Sequence, residues 1–440
     1  MARITNFQKS NLLADRAEKL IPAGCHTYSK GRDQFPEKSP GVLVRGTGCH
    51  TWDADNNEYI DWGMGLRAVI LGHAYEPVLQ AVRQTLELGA NFTRPSPLEA
   101  DVAERLVELI PCAEMVKFAK NGSDVTTAAL RLARAYTGKD HVAFCKDHPF
   151  FSFDDWFIGT TPCNNGIPDV HYNLSHAFRY NDLDSLEKIL VEHKGQVGAI
   201  IMEAVTGPAP MSGFLEGVRR LATQHQAVLI FDEMISGFRW HLRGAQTYFN
   251  VIPDMATFGK GLGNGFSIAA LVGRRDIMDI GGLKHRLKRC FLLSATHGGE
   301  THALAACLAV MDEMEKRNVV SHLWAVGKAL QDGLAGAAEH AGVGKNVELC
   351  GYPCSPIMIF RDNAGAISMP LRTLFLQEMI ARGILIPYIA PSFSHDEEAV
   401  RQTVAAAAES FAMCRQALDA GTFDGWLVGA ATKPVFREFN

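Results

Sequence analysis

Apolar residues recur along this chain in two ways. Short, largely apolar runs at Met115–Lys120, Val142–Cys145, Val197–Met202, Ala227–Phe231 and Ala269–Gly273 have the length and composition of sheet strands. Between them lie stretches whose apolar positions fall three and four residues apart, the period of a helix. These are Val125–Tyr136, with Ala128, Ala129, Leu132, Ala133 and Tyr136 on one face, and Phe214–His225. The alternation predicts an α/β fold built on a mainly parallel, doubly wound sheet. Ligands of such sheets bind outside the carboxyl ends of the strands, and two of the runs end in acid, at Glu203 and Asp232.

The flanks read differently. A helix over Ser10–Ile21, with Leu12, Leu13, Ala17, Leu20 and Ile21 apolar, is stopped by Pro22-Ala23-Gly24. Val42–Arg45 and Tyr59–Trp62 read as strands joined by a turn. That turn, Asp53–Glu58, is no calcium loop, because its sixth position is Glu58 and its twelfth Met64. Helices follow at Glu76–Leu88 and Leu98–Leu109, then at Ala303–Arg317. Beyond lie a strand at Ser355–Phe360, a helix at Leu371–Arg382, and a last helix opened by a capping box at Ser394-His395-Asp396-Glu397 with Val400, Val404, Ala408 and Phe411 inward. The division expected is an N-terminal segment 1–65, a large domain 66–320 and a smaller C-terminal α+β domain 321–440, at a length that calls for at least two domains.

Composition narrows the function classes. A hydrophobic content of 47% with a formal charge of -5 describes an ordinary globular chain without the basic excess that nucleic acid attracts. No apolar run is long enough to span a bilayer, and Met1-Ala2-Arg3-Ile4-Thr5-Asn6 lacks the apolar core of a signal peptide, so the expectation is a cytoplasmic protein without a membrane partner. The 10 cysteines contain no CxxC pair, and Cys350 and Cys354 have no histidine nearby, so reduced thiols and no metal are expected. GxSxG, a P-loop and a complete GxGxxG are absent, which argues against hydrolase, NTPase and dinucleotide chemistry.

The chemistry centres on Phe258-Gly259-Lys260-Gly261-Leu262-Gly263-Asn264-Gly265, one lysine among glycines that let a backbone turn tightly against a ligand. Taken alone, such a lysine caps a surface turn. Partly buried, it loses its proton more readily and attacks a carbonyl to form a Schiff base. Lys260 together with Asp232 supplies the two groups that pyridoxal phosphate chemistry requires, an amine for the aldehyde and an acid that keeps the pyridine nitrogen protonated. A phosphate cradle is available where Asn121-Gly122-Ser123-Asp124 leads into a helix, whose free N–H groups and dipole attract an anion. A second small-residue turn at Ser294-Ala295-Thr296-His297-Gly298-Gly299 is equally a plain turn or a phosphate contact. Phe150 or Phe151 can stack on a planar ring or belong to the core. The polar loop 25–32 offers His26, Tyr28, Lys30 and Arg32 to a substrate, and Arg67 can anchor a carboxylate or pair with an acid.

With Gly122-Ser123 before a helix, Phe231-Asp232-Glu233-Met234-Ile235-Ser236-Gly237-Phe238-Arg239, and Phe258-Gly259-Lys260-Gly261 followed by Gly273-Arg274-Arg275-Asp276-Ile277-Met278, the chain resembles class III aminotransferases, and within them the glutamate-1-semialdehyde 2,1-aminomutase branch. Leu71-Gly72-His73-Ala74 and Phe214-Leu215-Glu216-Gly217-Val218-Arg219 extend the likeness. The resemblance implies a fold-type I enzyme with a seven-stranded-type sheet, a homodimer with shared active sites, and pyridoxal 5'-phosphate on Lys260. It further implies that Asp232 pairs with the pyridine nitrogen, Met234 packs under the ring, Gly122 and Ser123 hold the phosphate, Thr296 reaches the phosphate from the partner subunit, and Glu203 lies near the ring hydroxyl. Phe150 takes the place of the family's ring-stacking aromatic. Where that branch places a substrate-clamping arginine, this chain has Lys30, with Arg32 two residues on, and lysine lacks the planar fork of arginine. The expected reaction is therefore transfer from a small amino donor to an aldehyde or ketone of a polar, sugar-like acceptor. The aminomutase reaction and a catalytically silent binding fold are the alternatives.

Overall fold

A computed structural model describes residues 3–439. The chain divides into two compact units, one built from the segments up to Tyr75 and Ser321–Arg437, the other from Glu76–Val320 with the last residues from Glu438 on.

In the unit made from the ends, Leu43–Thr47 (β1), His50–Asp53 (β2) and Glu58–Asp61 (β3) form an antiparallel ribbon. The two strands expected here are thus separated by a third: His50-Thr51-Trp52-Asp53 pairs with both neighbours. Asp53 shapes the turn after β2, Oδ1 accepting from the N–H groups of Asp55 and Asn57 at 2.9 Å each.

The middle unit holds Met115–Ala119 (β4), His141–Cys145 (β5), Ser175–Phe178 (β6), Val197–Met202 (β7), Val228–Asp232 (β8), Met255–Phe258 (β9) and Ala269–Gly273 (β10). They form one seven-stranded sheet in the order β4-β10-β9-β8-β7-β5-β6. Strands β6, β5, β7, β8 and β9 are mutually parallel; β10 runs against both β9 and β4, so β4 points the same way as the parallel set. Every residue of β7, β8, β9 and β10 is buried, as a sheet covered on both faces requires. The expected α/β class holds, with β10 as the single reversed strand. The helix expected from Val125 starts earlier, at Gly122, and runs to Thr137, so Gly122 and Ser123 belong to its first turn.

The terminal unit is completed by Val347–Tyr352 (β11), Ser355–Phe360 (β12) and Ile384–Leu385 (β13), the last pairing in parallel with β3. Its core gathers Trp62, Leu330, Leu334, Phe360, Phe375 and Phe411 among others. A 22-residue helix, Val319–His340, crosses the break between the units and was not anticipated, and neither was β11. The last helix spans Glu397–Ala420, and its N-cap is Asp396, which accepts from Ala399 N–H at 2.8 Å. The capping box expected at Ser394 is not formed, because Ser394 Oγ donates instead to Leu71 O at 2.6 Å. Ala408 faces out, and the buried stripe runs through Ala399, Val400, Thr403, Ala407 and Phe411. A complete capping box does occur where none was expected, with Ser96 and Glu99 at the start of helix Pro97–Leu109.

Candidate active site

Because β4 and β9 point the same way as β7 and β8, four strand ends deliver their following residues to one edge of the sheet: Gly122-Ser123 after β4, Glu203 after β7, Asp232 at the end of β8, and Gly259-Lys260 after β9. That edge is where α/β sheets bind ligands.

Asp232 is 3% exposed, with Oδ1 accepting from Met234 N–H and from Thr257 Oγ1, both at 3.0 Å. Burial pushes its carboxyl pKa up, and the positive charge of Lys260 pulls against that shift, so the two groups are electrostatic neighbours. Lys260 opens the short turn Lys260–Gly263 with φ +43°, the left-handed region that side chains other than glycine rarely occupy. A non-glycine residue held there is backbone strain at the end of a strand, where chemistry commonly sits.

Met234 ties three strand ends together. A Cβ placed on Gly259 would stand 2.6 Å from Met234 Sδ, and one placed on Gly122 would stand 3.2 Å from it. The thioether therefore lies close to two glycine backbones at once, too close at Gly259 for a side chain without a shift and tight at Gly122. The helix that begins at Gly122 is capped by Asn121, whose Oδ1 accepts from Asp124 N–H at 3.1 Å, which leaves the first-turn N–H groups of Gly122 and Ser123 ahead of the helical hydrogen bonds. Ser123 Oγ accepts from Phe153 N–H at 3.0 Å.

On the β5 and β7 side, His148 Nδ1 accepts the Glu203 N–H at 3.0 Å, and Thr206 Oγ1 donates to Glu203 Oε2. Burial drives the His148 pKa down to about 3, so its imidazole stays neutral and its Nδ1 remains an acceptor. Tyr180 packs edge-on against His148 with ring centroids 5.1 Å apart and donates to Ala204 O at 2.7 Å. His148 carried no signal in the sequence, because its partner Glu203 lies 55 residues further along the chain.

The two phenylalanines separate clearly. Phe151 is 1% exposed and packs edge-on against Phe157 at 5.6 Å, a core position, whereas Phe150 is 43% exposed. Thr296 is exposed, its carbonyl accepting from Asn91 Nδ2 at 3.0 Å. Glu233, next to Asp232, was also missed as a structural residue. It is fully buried and accepts from Ala245 N–H, Gln246 N–H, Gln246 Nε2 and Ser236 Oγ, which pins the segment after β8.

Lys30, Arg32 and Arg67 belong to the other unit. Lys30 is exposed. Arg32 donates to Asp15 Oδ1 at 2.6 Å and to Glu18 Oε2 at 3.5 Å, while Arg67 donates to Ser355 Oγ and Ile389 O and lies over the Tyr388 ring.

A buried acid beside a lysine, a methionine pressed between glycine backbones and a helix N-terminus, all at one sheet edge, fit pyridoxal 5'-phosphate. A model of the family Aminotransferase class-III matches residues 34–391. The chain is 32% identical over 430 residues to a 3-aminobutyryl-CoA aminotransferase of Cloacimonas acidaminovorans (strain Evry), covering 95% of this chain and 100% of that one. It is likewise 32% identical over 434 residues to a glutamate-1-semialdehyde 2,1-aminomutase of Desulforamulus reducens, covering 92% and 98%. In fold it matches the FumI protein of Sphingopyxis sp. MTA144, solved in its PLP internal aldimine form, with a TM-score of 0.86 and 24% identity over 93% of this chain and 97% of that one. The chain belongs to the class III aminotransferases. It is a pyridoxal-phosphate-dependent enzyme of the transaminase or aminomutase kind.

Proposed function

We propose that this enzyme is an aminotransferase that moves an amino group from a small amino donor to the aldehyde or ketone of a polar, sugar-like acceptor, working as a cytoplasmic homodimer. The observation that carries the choice of acceptor lies in the loop 25–32. Both cations of that loop are exposed, but Arg32 is held in ion pairs by Asp15 and Glu18, whereas Lys30 forms no ion pair among the described residues and has no planar fork with which to clamp a substrate carboxylate. Arg67 is the further cation assigned to substrate on this reading.

When bound, pyridoxal phosphate supplies an aldehyde that takes up the amino group and a ring that draws electrons from the adjoining carbon. The chain does the rest. Asp232 holds the ring nitrogen protonated, its Oδ1 fixed by Met234 N–H and Thr257 Oγ1 so that the carboxylate cannot turn away. The N–H groups of Gly122 and Ser123 would bind the phosphate at the positive end of their helix, with Thr296 of a second copy completing that site. Met234 would form the floor and Phe150 would cover the ring. Glu203, oriented by His148 and Thr206, lies toward the ring hydroxyl. Lys260 would hold the cofactor through its Nζ and, as a free amine, would serve as the base that moves the α-proton of the donor.

The aminomutase reaction is the second reading, favoured by the likeness to named aminomutases. The test is turnover by purified enzyme of glutamate 1-semialdehyde against a panel of hydroxylated aldehydes and ketones, each with glutamate, alanine and small diamines as donors. Transfer to a hydroxylated carbonyl acceptor supports the proposal. Efficient conversion of glutamate 1-semialdehyde with no added donor would overturn it.

A further inference from the structure

Away from this site, three histidines meet at the opposite flank of the seven-stranded sheet. His141 opens β5, His176 lies in the edge strand β6, and His193 is the residue on which helix Leu183–Glu192 ends. Sheet pairing and a tight return bring them together: β5 and β6 run side by side, Gln196 N–H donates to His193 O at 2.9 Å, and His141 N–H donates to Gln196 O at 3.1 Å. His141 Nδ1 stands 2.8 Å from His176 Nε2, and the His176 ring stacks on that of His193 with centroids 3.9 Å apart. One ring nitrogen from each of the three lies within 4.8 Å of the others.

Such a group is poorly explained by packing alone. All three rings are only half-buried, and none of the three forms an ion pair among the described residues. The charged side chains that act on His141 are Asp140, beside it in sequence, and Arg134, whose Nε donates to Asp140 O at 2.8 Å. His176 feels only the other two histidines, and burial with that repulsion lowers its pKa to about 4. Burial, then the neighbouring His193, lowers His141 in the same direction.

We propose that His141, His176 and His193 form a binding site for one divalent transition cation of the zinc, nickel or copper type. Imidazole nitrogens about 2.0–2.1 Å from a tetrahedral ion stand about 3.3 Å from one another, inside the range found here, so small ring rotations complete the site. Three protein ligands leave a position open to water. Because two ligands come from neighbouring strands and the third from a helix end, the ion clamps the sheet's edge strand to the elements beside it.

The test is calorimetric titration of zinc and, separately, copper ions into the pyridoxal-phosphate-loaded enzyme, with His176→Gln and His193→Gln compared with wild type. The expected result is one ion per chain, with affinity at least tenfold weaker in each variant. Unchanged affinity in both variants, or no saturable binding to wild type, would overturn the site. The electron paramagnetic resonance spectrum of the wild-type copper complex gives an answer that does not depend on how the variants fold. Splitting from three equatorial nitrogens supports the proposal, and a spectrum with one nitrogen or with oxygen alone sinks it.

Discussion

Replacing Gly259 by alanine puts a methyl carbon 2.6 Å from Met234 Sδ, 3.2 Å from its Cε and 3.5 Å from Ile268 O. Ordinary contacts between such atoms lie at about 3.5–4.0 Å, so the thioether must give way by about 1 Å. The backbone raises no objection, since Gly259 has φ -178°, which any residue adopts. The cost is therefore steric. Met234 is flexible but 8% exposed, and its sulfur also lies close to Gly122, so it has little room to retreat. Overpacking of this kind costs about 1–3 kcal/mol. For a unit of this size each kcal/mol lowers the melting temperature by about 2–4 °C. The expected outcome for Gly259→Ala is a fall of about 2–12 °C in the cofactor-free protein, with weaker uptake of pyridoxal phosphate because Met234 is displaced. Gly122→Ala, whose contact is 3.2 Å, costs less. The assay is scanning calorimetry with and without cofactor on Gly259→Ala, Met234→Ala and the pair. The reasoning requires the double variant to be more stable than the two single effects added together. Strict additivity, or a Gly259→Ala protein with wild-type melting and cofactor affinity, refutes it.

Three further outcomes are expected. Glu233→Gln turns a carboxylate that accepts four hydrogen bonds into an amide whose NH2 faces a donor, and should cost ~2 kcal/mol or more; unaltered denaturant unfolding would show that the carboxylate does not hold the segment. His148 and His395, each with its pKa lowered to about 3 by burial, take up protons on unfolding near the ordinary value of about 6.5, so each unit loses stability as pH falls from about 6.5 toward 3, on the order of 2 kcal/mol per histidine by pH 5; unfolding midpoints that stay flat from pH 7 to 4.5 contradict this. Asp396→Ala removes the cap of the final helix and should cost about 1 kcal/mol, and hydrogen exchange in the first turn separates this from Ser394→Ala, which leaves that turn protected.

Much of the candidate site was legible because its signals are local. A buried strand that ends in acid, as at Asp232 and Glu203, and a lysine set among glycines announce themselves in a few consecutive residues. What the sequence hid depends on partners far along the chain. The reversed direction of β10 follows from its neighbours and not from its composition, which resembles that of β8. Helix Val319–His340 was obscured by Gly327, Gly333 and Gly336, which read as breaks. At Gly327 the structure gives the reason: a Cβ would stand 1.7 Å from Pro353 O, so glycine there allows two backbones to touch. The capping choice between Ser394 and Asp396 turned on Leu71, whose carbonyl takes the serine hydroxyl. His141, His176 and His193 are too widely spaced to form a motif, and the sequence led to an expectation of no metal.

The electrostatic influence of Lys260 on Asp232 bears on how so buried an acid is held. A carboxylate this buried is costly unless a positive charge stands near it, and Lys260 is the cation whose charge lowers its pKa. On the proposed reading, the protonated ring nitrogen of the cofactor would offer Asp232 a second cation at the same place. The hold of Met234 N–H and Thr257 Oγ1 on Oδ1 would present the carboxylate to either cation without moving it, so the acid is fixed by its own strand ends before any ligand arrives.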